Sequence, residues 1–532
     1  VFFLVTLFNR LQIFTIPKIL LIKLLYFVIN KWNFLKMKNC LLLLACVMII
    51  GTTYSQKIST PLELSGFKTL TSHQQMINYI KSLPRDKSPF LTEDFALSAT
   101  GMKIPVLKFS TGEFGNDEKK LKVLLFAQQH GNEPSGKEGV LMLLSKFASG
   151  ELSHLLQKLD LAIIPMMNPD GNDSDKRRNG NGADLNRDHL ILLQPENQGL
   201  HKFFNKYLFE VSMDVHEYGP FSRDWMELGY RKNSNVTAGI LTNINTPQAI
   251  RTYSRTKYFP WLTAQMKKSG YSFSEYTPGG PPEIEYIRQS TFDINDGRQS
   301  IGSLGALSFI QEGMNGRDSI DNIEVRAKSQ MTAMLCYLEF MYQNADEIKL
   351  MVKTEREKLV NGSPEKVAIQ MKHERDGSKL EMTLLSTRTG KDTVITVSNY
   401  CPVVKSLFDV EKPFGYLIPA DDRQLLDWAN RHKFQLSKYT VGNNDMIEGM
   451  LITSIDSIDF EGDIVVNPIY STRKVPLNDL KGDYYLLPTK QLTGNVIVQA
   501  LEPKSMIGLV TYKQFEHLLK PAQVYPVLRI YR

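Results

Sequence analysis

Cysteine is scarce. The 532-residue chain has four, and Cys40 and Cys46 fall in an apolar stretch near its start. The remaining pair, Cys336 and Cys401, allows one disulfide at most and excludes a cysteine-ligated zinc site, a CxxC redox motif and a small disulfide scaffold. Cys336 lies in an apolar helical pattern from Met331 to Met341, which predicts a buried free thiol. A charge excess is missing from most of the chain as well. Of 63 Lys and Arg against 56 Asp and Glu, six cations (Arg10, Lys18, Lys23, Lys31, Lys36, Lys38) and no acid lie in residues 1–55. The 63 less these six leave 57 against 56 acids, so nothing points to a nucleic-acid partner. Internal repeats, low-complexity tracts and, past the leader, bilayer-length apolar runs are also absent, which predicts no membrane span in the mature chain. What remains is an ordinary globular mixture, 42% hydrophobic and 22% charged, with room for several domains.

The leader has the three parts of a secretory signal peptide over residues 37–55. Met37-Lys38-Asn39 is the basic start, Cys40 to Ile50 the apolar core, and Thr53 and Ser55 the small residues before a cut at Gln56. Residues 1–36 read as an upstream extension. The expected location is therefore exported, periplasmic or extracellular. A single membrane anchor, or lipidation at Cys46 in Leu43-Leu44-Ala45-Cys46, are the alternatives.

Beyond the leader, residues 71–82 read as an amphipathic helix, Leu121 to Gln128 as a buried strand, and about Gly136 to Ala148 as a helix. Leu161 to Met166, Val211 to Val215 and Ala306 to Ile310 give three more apolar strands, and Val325 to Leu359 a long helical pattern. Alternating strands and helices, with polar residues at strand ends, indicate an α/β sheet whose loops form the site. After the plausible linker Asn361-Gly362-Ser363-Pro364 the texture turns β-rich, with strands expected at Met382–Leu385, Thr393–Val397, Asp463–Val466 and Val496–Leu501 and one helix at Asp421 to His432. Trp428 and Tyr484-Tyr485 read as core.

Four clusters carry the candidate chemistry. His130-Gly131-Asn132-Glu133 sets an imidazole and a carboxylate three positions apart on the turn after a strand, where both can reach one divalent metal. His373-Glu374-Arg375-Asp376 is comparable but falls in a charged, surface-like segment. Asp214-Val215-His216-Glu217 ends another strand, so neighbouring strands would bring His130 and His216 to one sheet edge. Two imidazoles and one carboxylate leave a fourth zinc position open, the catalytic pattern, and Asp214 or Glu217 could orient an imidazole. Arg177-Arg178 and Asp184-Leu185-Asn186-Arg187 put three arginines in an Asn- and Gly-rich stretch, where a guanidinium can stabilise an oxyanion or clamp a carboxylate. Glu312, at the exit of the last apolar strand, is a candidate general base.

Together with Asn168-Pro169-Asp170-Gly171, these motifs resemble, in order, the carboxypeptidase A-like zinc metallocarboxypeptidases. The resemblance covers roughly residues 65–345 and implies an α/β/α sandwich around a mixed, mostly eight-stranded sheet with one catalytic zinc. It implies His130, Glu133 and His216 as zinc ligands, Glu312 as general base, and Arg177 (or Arg178 if the register slips) polarising the scissile carbonyl. Asn186 and Arg187 would hold the terminal carboxylate of a peptide or small amide substrate. Tyr276 and Tyr286, flanking the Pro278–Pro282 loop, are candidates for the capping tyrosine, with Tyr286 carried as substrate-binding. Residues 56–360 are then the catalytic domain and 361–532 a smaller β-rich region of unknown role. Two alternatives stand beside this: a zinc amidohydrolase on peptidoglycan stem peptides or acylated amino acids, and a non-catalytic relative whose C-terminal region binds glycan or protein.

Overall fold

The structure is a computed structural model describing residues 58–442 and 444–532. The readings of residues 1–36 and 37–55 lie outside the described residues.

Long apolar runs become strands buried on both faces, as they must where helices cover a parallel sheet. The main-sheet strands are β1 (Phe90–Leu97), β2 (Lys103–Phe109), β3 (Leu121–Ala127), β4 (Leu159–Ile164) and β5 (Val211–Tyr218). The short β6 (Tyr230–Lys232) stands outside it; β7 (Val236–Gly239) and β8 (Phe273–Glu275) belong to it. After another short outlier, β9 (Ile287–Arg288), β10 (Leu307–Met314) completes the eight-stranded order β1-β2-β4-β3-β5-β10-β7-β8. Strands β4, β3, β5 and β10 are mutually parallel, while β1, β2 and the β10/β7 pair are antiparallel, so the sheet is mixed.

The pleat sends alternate side chains of β3 to opposite layers. Val123, Leu125 and Ala127 meet Val140, Leu144 and Phe147 of α2 (Pro134–Ala148), on the side that also holds α1 (His73–Ser82). Leu124 and Phe126 meet Leu200, Phe203 and Phe204 of α3 (Pro195–Tyr207). With α4 (Phe259–Lys268), α5 (Ile323–Gln343) and α6 (Ala345–Val360) added to the first layer, this is the expected α/β/α sandwich. The single helical pattern at 325–359 is two helices, broken at Asn344, whose Nδ2 donates to the Phe340 carbonyl at 2.8 Å and competes with continued helix. Among the described residues no helix is long and apolar enough to cross a membrane.

Past residue 361 come β11 (Lys366–Glu374), β12 (Leu380–Ser386), β13 (Asp392–Val397), β14 (Tyr400–Cys401), β15 (Val403–Glu411) and β16 (Gly415–Pro419). After α7 (Arg423–Arg431) follow β17 (Ser437–Lys438), β18 (Met446–Phe460), β19 (Asp463–Val475) and β20 (Tyr484–Pro488). The expected strand at Val496–Leu501 is instead a helix, α8 (Gly494–Leu501), before the closing strand β21 (Leu528–Tyr531). Every residue of α8 is buried, and a short run that is mostly apolar and buried on all sides carries no periodicity to tell helix from strand. Cys336 and Cys401 are both free and buried.

The C-terminal strands reach back into the first part of the chain. Strand β12 pairs with β6, and β14 with β9. Leu190, Ile191, Phe292 and Ile294, all on loops near the site, share one core with Trp428, Val367 and the α8 residues. Trp428 Nε1 and His432 Nε2 both donate to the Leu190 carbonyl, at 2.9 and 2.6 Å. His373 is not on a charged surface: it is buried in β11, 3.0 Å from Glu461 and bonded to the Gln289 carbonyl.

Candidate metal centre and cleft

The parallel strands deliver their loops to one edge of the sheet, and three loops meet there. His130 sits just beyond the end of β3, His216 near the end of β5, and Glu312 in β10 directly opposite His216 in the strand register. Gly131 is required by close approach: a Cβ there would lie 2.0 Å from the Gly171 carbonyl carbon. The Asn168-Pro169-Asp170-Gly171 turn is a brace. Asn168 Oδ1 accepts from Gly171 N at 2.8 Å, and its Nδ2 donates to the carbonyls of Gln129 (3.0 Å) and Arg177 (3.3 Å). One side chain thus fixes the residue before His130 and the backbone of Arg177.

Three ligand atoms converge. His130 Nδ1 lies 2.9 Å from Glu133 Oε1, His216 Nδ1 3.1 Å from Glu133 Oε2, and the two Nδ1 atoms are 3.1 Å apart. Behind them, His130 Nε2 donates to Asp184 at 3.0 Å and His216 Nε2 lies 2.9 Å from Asp214. Each outer carboxylate holds the proton on Nε2 and turns the Nδ1 lone pair inward. Two inward ring nitrogens and a carboxylate at this spacing can all be satisfied at once by one divalent cation. Zinc–nitrogen bonds of roughly 2.0–2.1 Å at tetrahedral angles place ligand nitrogens about 3.4 Å apart, close to the separation seen here. The residues therefore fit zinc, and among the described residues they are the one group of three such side chains with this geometry.

Electrostatics set the ligands apart from their neighbour. Burial works to raise the Glu133 pKa, but the His130 and His216 imidazoles outweigh it and hold the carboxyl well below the usual range. Burial opposes the charged form of His216, yet Asp214 and Glu133 raise its pKa well above normal. Glu312 goes the other way: burial, helped by the charges of Glu133 and Asp214, pushes it up to about 7. It is 7% exposed and, among the described residues, has no ion-pair or side-chain hydrogen-bond partner.

These side chains line a cleft of about 980 Å³ that also takes in Arg177, Asn186, Arg187, Tyr276 and Arg298. Arg177 is half-exposed, its Nε on Asp184 at 3.0 Å and its Nη1 3.3 Å from Glu133. Asn186 is buried, its Oδ1 accepting from Gly297 N at 2.8 Å, while Arg187 is exposed to the cleft, its Nη1 on the Asn186 carbonyl. Gly297 is required here too, since a Cβ would lie 2.7 Å from Asp214. Arg178 is exposed and bonded to the Gly182 carbonyl, outside the cleft lining. Tyr286 is likewise outside it, beside the Arg288 guanidinium. Tyr276 is the tyrosine of the pair that joins the cleft, near Glu312 and Arg187.

Glu217 turns away to Ser135 and Arg326, leaving Asp214 to orient His216. Asp184, orienting His130, was hidden in the sequence behind the neighbouring Asn186-Arg187, although its place two residues before Asn186 was a usable signal. Gln129 had none: it sits inside an apolar strand exit, yet its Nε2 donates to Asp214 and its Oε1 faces His189.

The zinc carboxypeptidase family pattern matches residues 76–221. Carboxypeptidase 2 of Trichophyton tonsurans is 23% identical over 478 residues, 86% of this chain and 86% of the relative. Carboxypeptidase E of Caenorhabditis elegans is 31% identical over 154 residues, 24% of this chain and 33% of that one. A metallo-carboxypeptidase structure from Pseudomonas aeruginosa overlaps 52% of this chain and 68% of its own at 19% identity and a TM-score of 0.39. Residues 76–221 carry the zinc carboxypeptidase pattern and the chain runs alongside a carboxypeptidase over most of its length, which supports a metallocarboxypeptidase, a peptide hydrolase.

Proposed function

We propose that the chain removes the carboxy-terminal residue of peptides, using one zinc per chain held by His130, Glu133 and His216. The observation that supports this most is the convergence of those three side chains beside a buried, unpartnered Glu312, with Arg187 opening on the same cleft. When bound, zinc supplies a Lewis acid for the scissile carbonyl and acidifies water towards neutrality.

The protein's own residues carry the remaining work. Arg187, with Asn186 beside it, pairs with the free carboxylate of the substrate, which makes the enzyme an exopeptidase. Arg177 donates to the oxygen of the scissile carbonyl as negative charge develops there. Glu312 accepts a proton from the attacking water at its carboxylate and returns it to the leaving amine nitrogen. Its raised pKa suits both halves of that transfer. Tyr276, which lines the same cleft, closes over the substrate. The leader at residues 37–55 makes the enzyme exported, to periplasm or exterior.

Zinc analysis of Glu312→Gln tests the division of labour. The variant should keep a zinc content near one per chain and lose hydrolysis of carboxy-terminal peptides by about a thousandfold or more. Loss of metal with activity would assign Glu312 to the metal instead. Faster turnover of peptidoglycan stem peptides than of ordinary peptides would redirect the reading to an amidohydrolase.

A further inference from the structure

The cleft has a wall supplied by the far end of the sequence. Leu380 to Leu384 of β12, with Asp392 at the start of β13, line the same cavity as the His–Glu–His triad, although the family pattern ends at residue 221. This hairpin is fixed in place. Leu384 pairs with Lys232, Leu385 with Arg231 and Ser386 with Tyr230, and Asn233 Nδ2 donates to Asp392 at 2.9 Å. Leu384 is 1% exposed in a small core with Trp225, Ile287, Val397 and Tyr400. Along β12 the pleat puts Leu380 and Met382 on the same face as Leu384, but further out they are only half-buried.

The hairpin lies on one definite side of Glu312. In β7, Thr237 is opposite Glu312 and Gly239 is opposite Ile310. Gly239 is tight against Arg298 and Ser290, on the side where Asp293, Asp296 and Tyr276 surround Arg187. In the other direction β7 leads back through Ser234 and Asn233 to Lys232, whose charged neighbours are Arg288, Glu285 and Glu312. The hairpin therefore sits across Glu312 from Arg187.

We propose that the β12–β13 hairpin receives the substrate residues on the amino side of the scissile bond, as an extended apolar peptide segment lying over Leu380 and Met382. This rests on the carboxy-terminal reading above: with the free carboxylate on Arg187, the rest of the peptide must leave in the opposite direction. It makes Leu380 and Met382 specificity-determining, and it gives the C-terminal region a part in substrate selection.

The test compares a blocked dipeptide with a pentapeptide of the same last two residues and apolar residues before them, using the full-length protein and its Leu380→Ser, Met382→Ser double variant. For the unaltered protein, kcat/KM should rise about tenfold or more with length, mainly through KM; tenfold corresponds to about 1.4 kcal/mol. The double variant should lose most of that gain, with a much smaller fall in its dipeptide rate, and bind the same zinc. Both side chains are partly buried against the Leu384–Trp225 core, so the melting temperature and zinc content of the variant are measured alongside to confirm an intact fold. Dipeptide cleavage with no gain from length, or a gain that survives the double substitution, overturns the hairpin proposal alone. If the unaltered protein cleaves neither peptide, the carboxy-terminal reading fails and takes the hairpin proposal with it.

Discussion

His432→Phe should change sign with pH, destabilising the protein in neutral solution and stabilising it in acid. His432 is buried under Trp428 and stacked on Phe434 at 4.8 Å, and its Nε2 donates to the Leu190 carbonyl at 2.6 Å. Burial is the main cause that lowers its pKa, to about 4. An unfolded histidine titrates near 6.5, so between these values the unfolded chain binds one more proton and stability falls as pH falls. The slope is about 1.4 kcal/mol per pH unit, or about 2 kcal/mol lost by pH 5. Phenylalanine keeps the ring packing and removes both the hydrogen bond and the proton. Since Trp428 still donates to the same carbonyl, the lost bond should cost about 1 kcal/mol. The variant should then be less stable by about 1 kcal/mol at pH 8 and more stable by about 1 kcal/mol at pH 5. The difference between the two proteins must be used. Asp188 and Asp293, raised to about 7 mainly by burial, gain stability as pH falls from 7, masking the histidine in either protein alone. Urea unfolding at both pH values provides the measurement, and a difference that keeps one size from pH 8 to pH 5 would refute the argument.

Two further changes probe the centre itself. Asp214→Asn leaves His216 Nε2 facing a neutral amide in place of a carboxylate, and should weaken zinc binding about ten- to a hundredfold in competition with a chelator while secondary structure stays intact. Gly131→Ala drives a methyl group into the Gly171 backbone, so the His130 loop must shift; zinc affinity should fall by at least about tenfold, and a variant that binds zinc normally would show the contact to be yielding.

How much was legible depended on whether a residue's role was local. Strands β3, β5 and β10 were readable because buried strands write themselves as short segments rich in apolar residues, unbroken in Val123–Ala127 and interrupted by few polar residues in the other two. Their polar exits announced His130, His216 and Glu312, since parallel strands bring such exits to one edge. Val496–Leu501 was unreadable for the same kind of reason: five apolar residues and one glutamine, all buried, look alike as helix and strand until neighbours decide. Tyr276 and Tyr286 were equivalent in sequence, flanking one loop, and became distinct only when the fold set one near Glu312 and the other beside Arg288.

Sequence alone determined the α/β sheet, the identity of the converging imidazoles and acids, and the near-neutral charge of the body of the chain, because each follows from local periodicity, spacing or count; the sandwich itself was implied by the family resemblance. Tertiary structure alone decided that Asp184 and Asp214 orient the imidazoles, that Glu133 is paired with both imidazoles while the equally buried Glu312 is not, and that residues beyond 361 line the cleft. Those facts depend on contacts between segments up to hundreds of residues apart, and a one-dimensional pattern records neither the distance nor the dielectric between such segments.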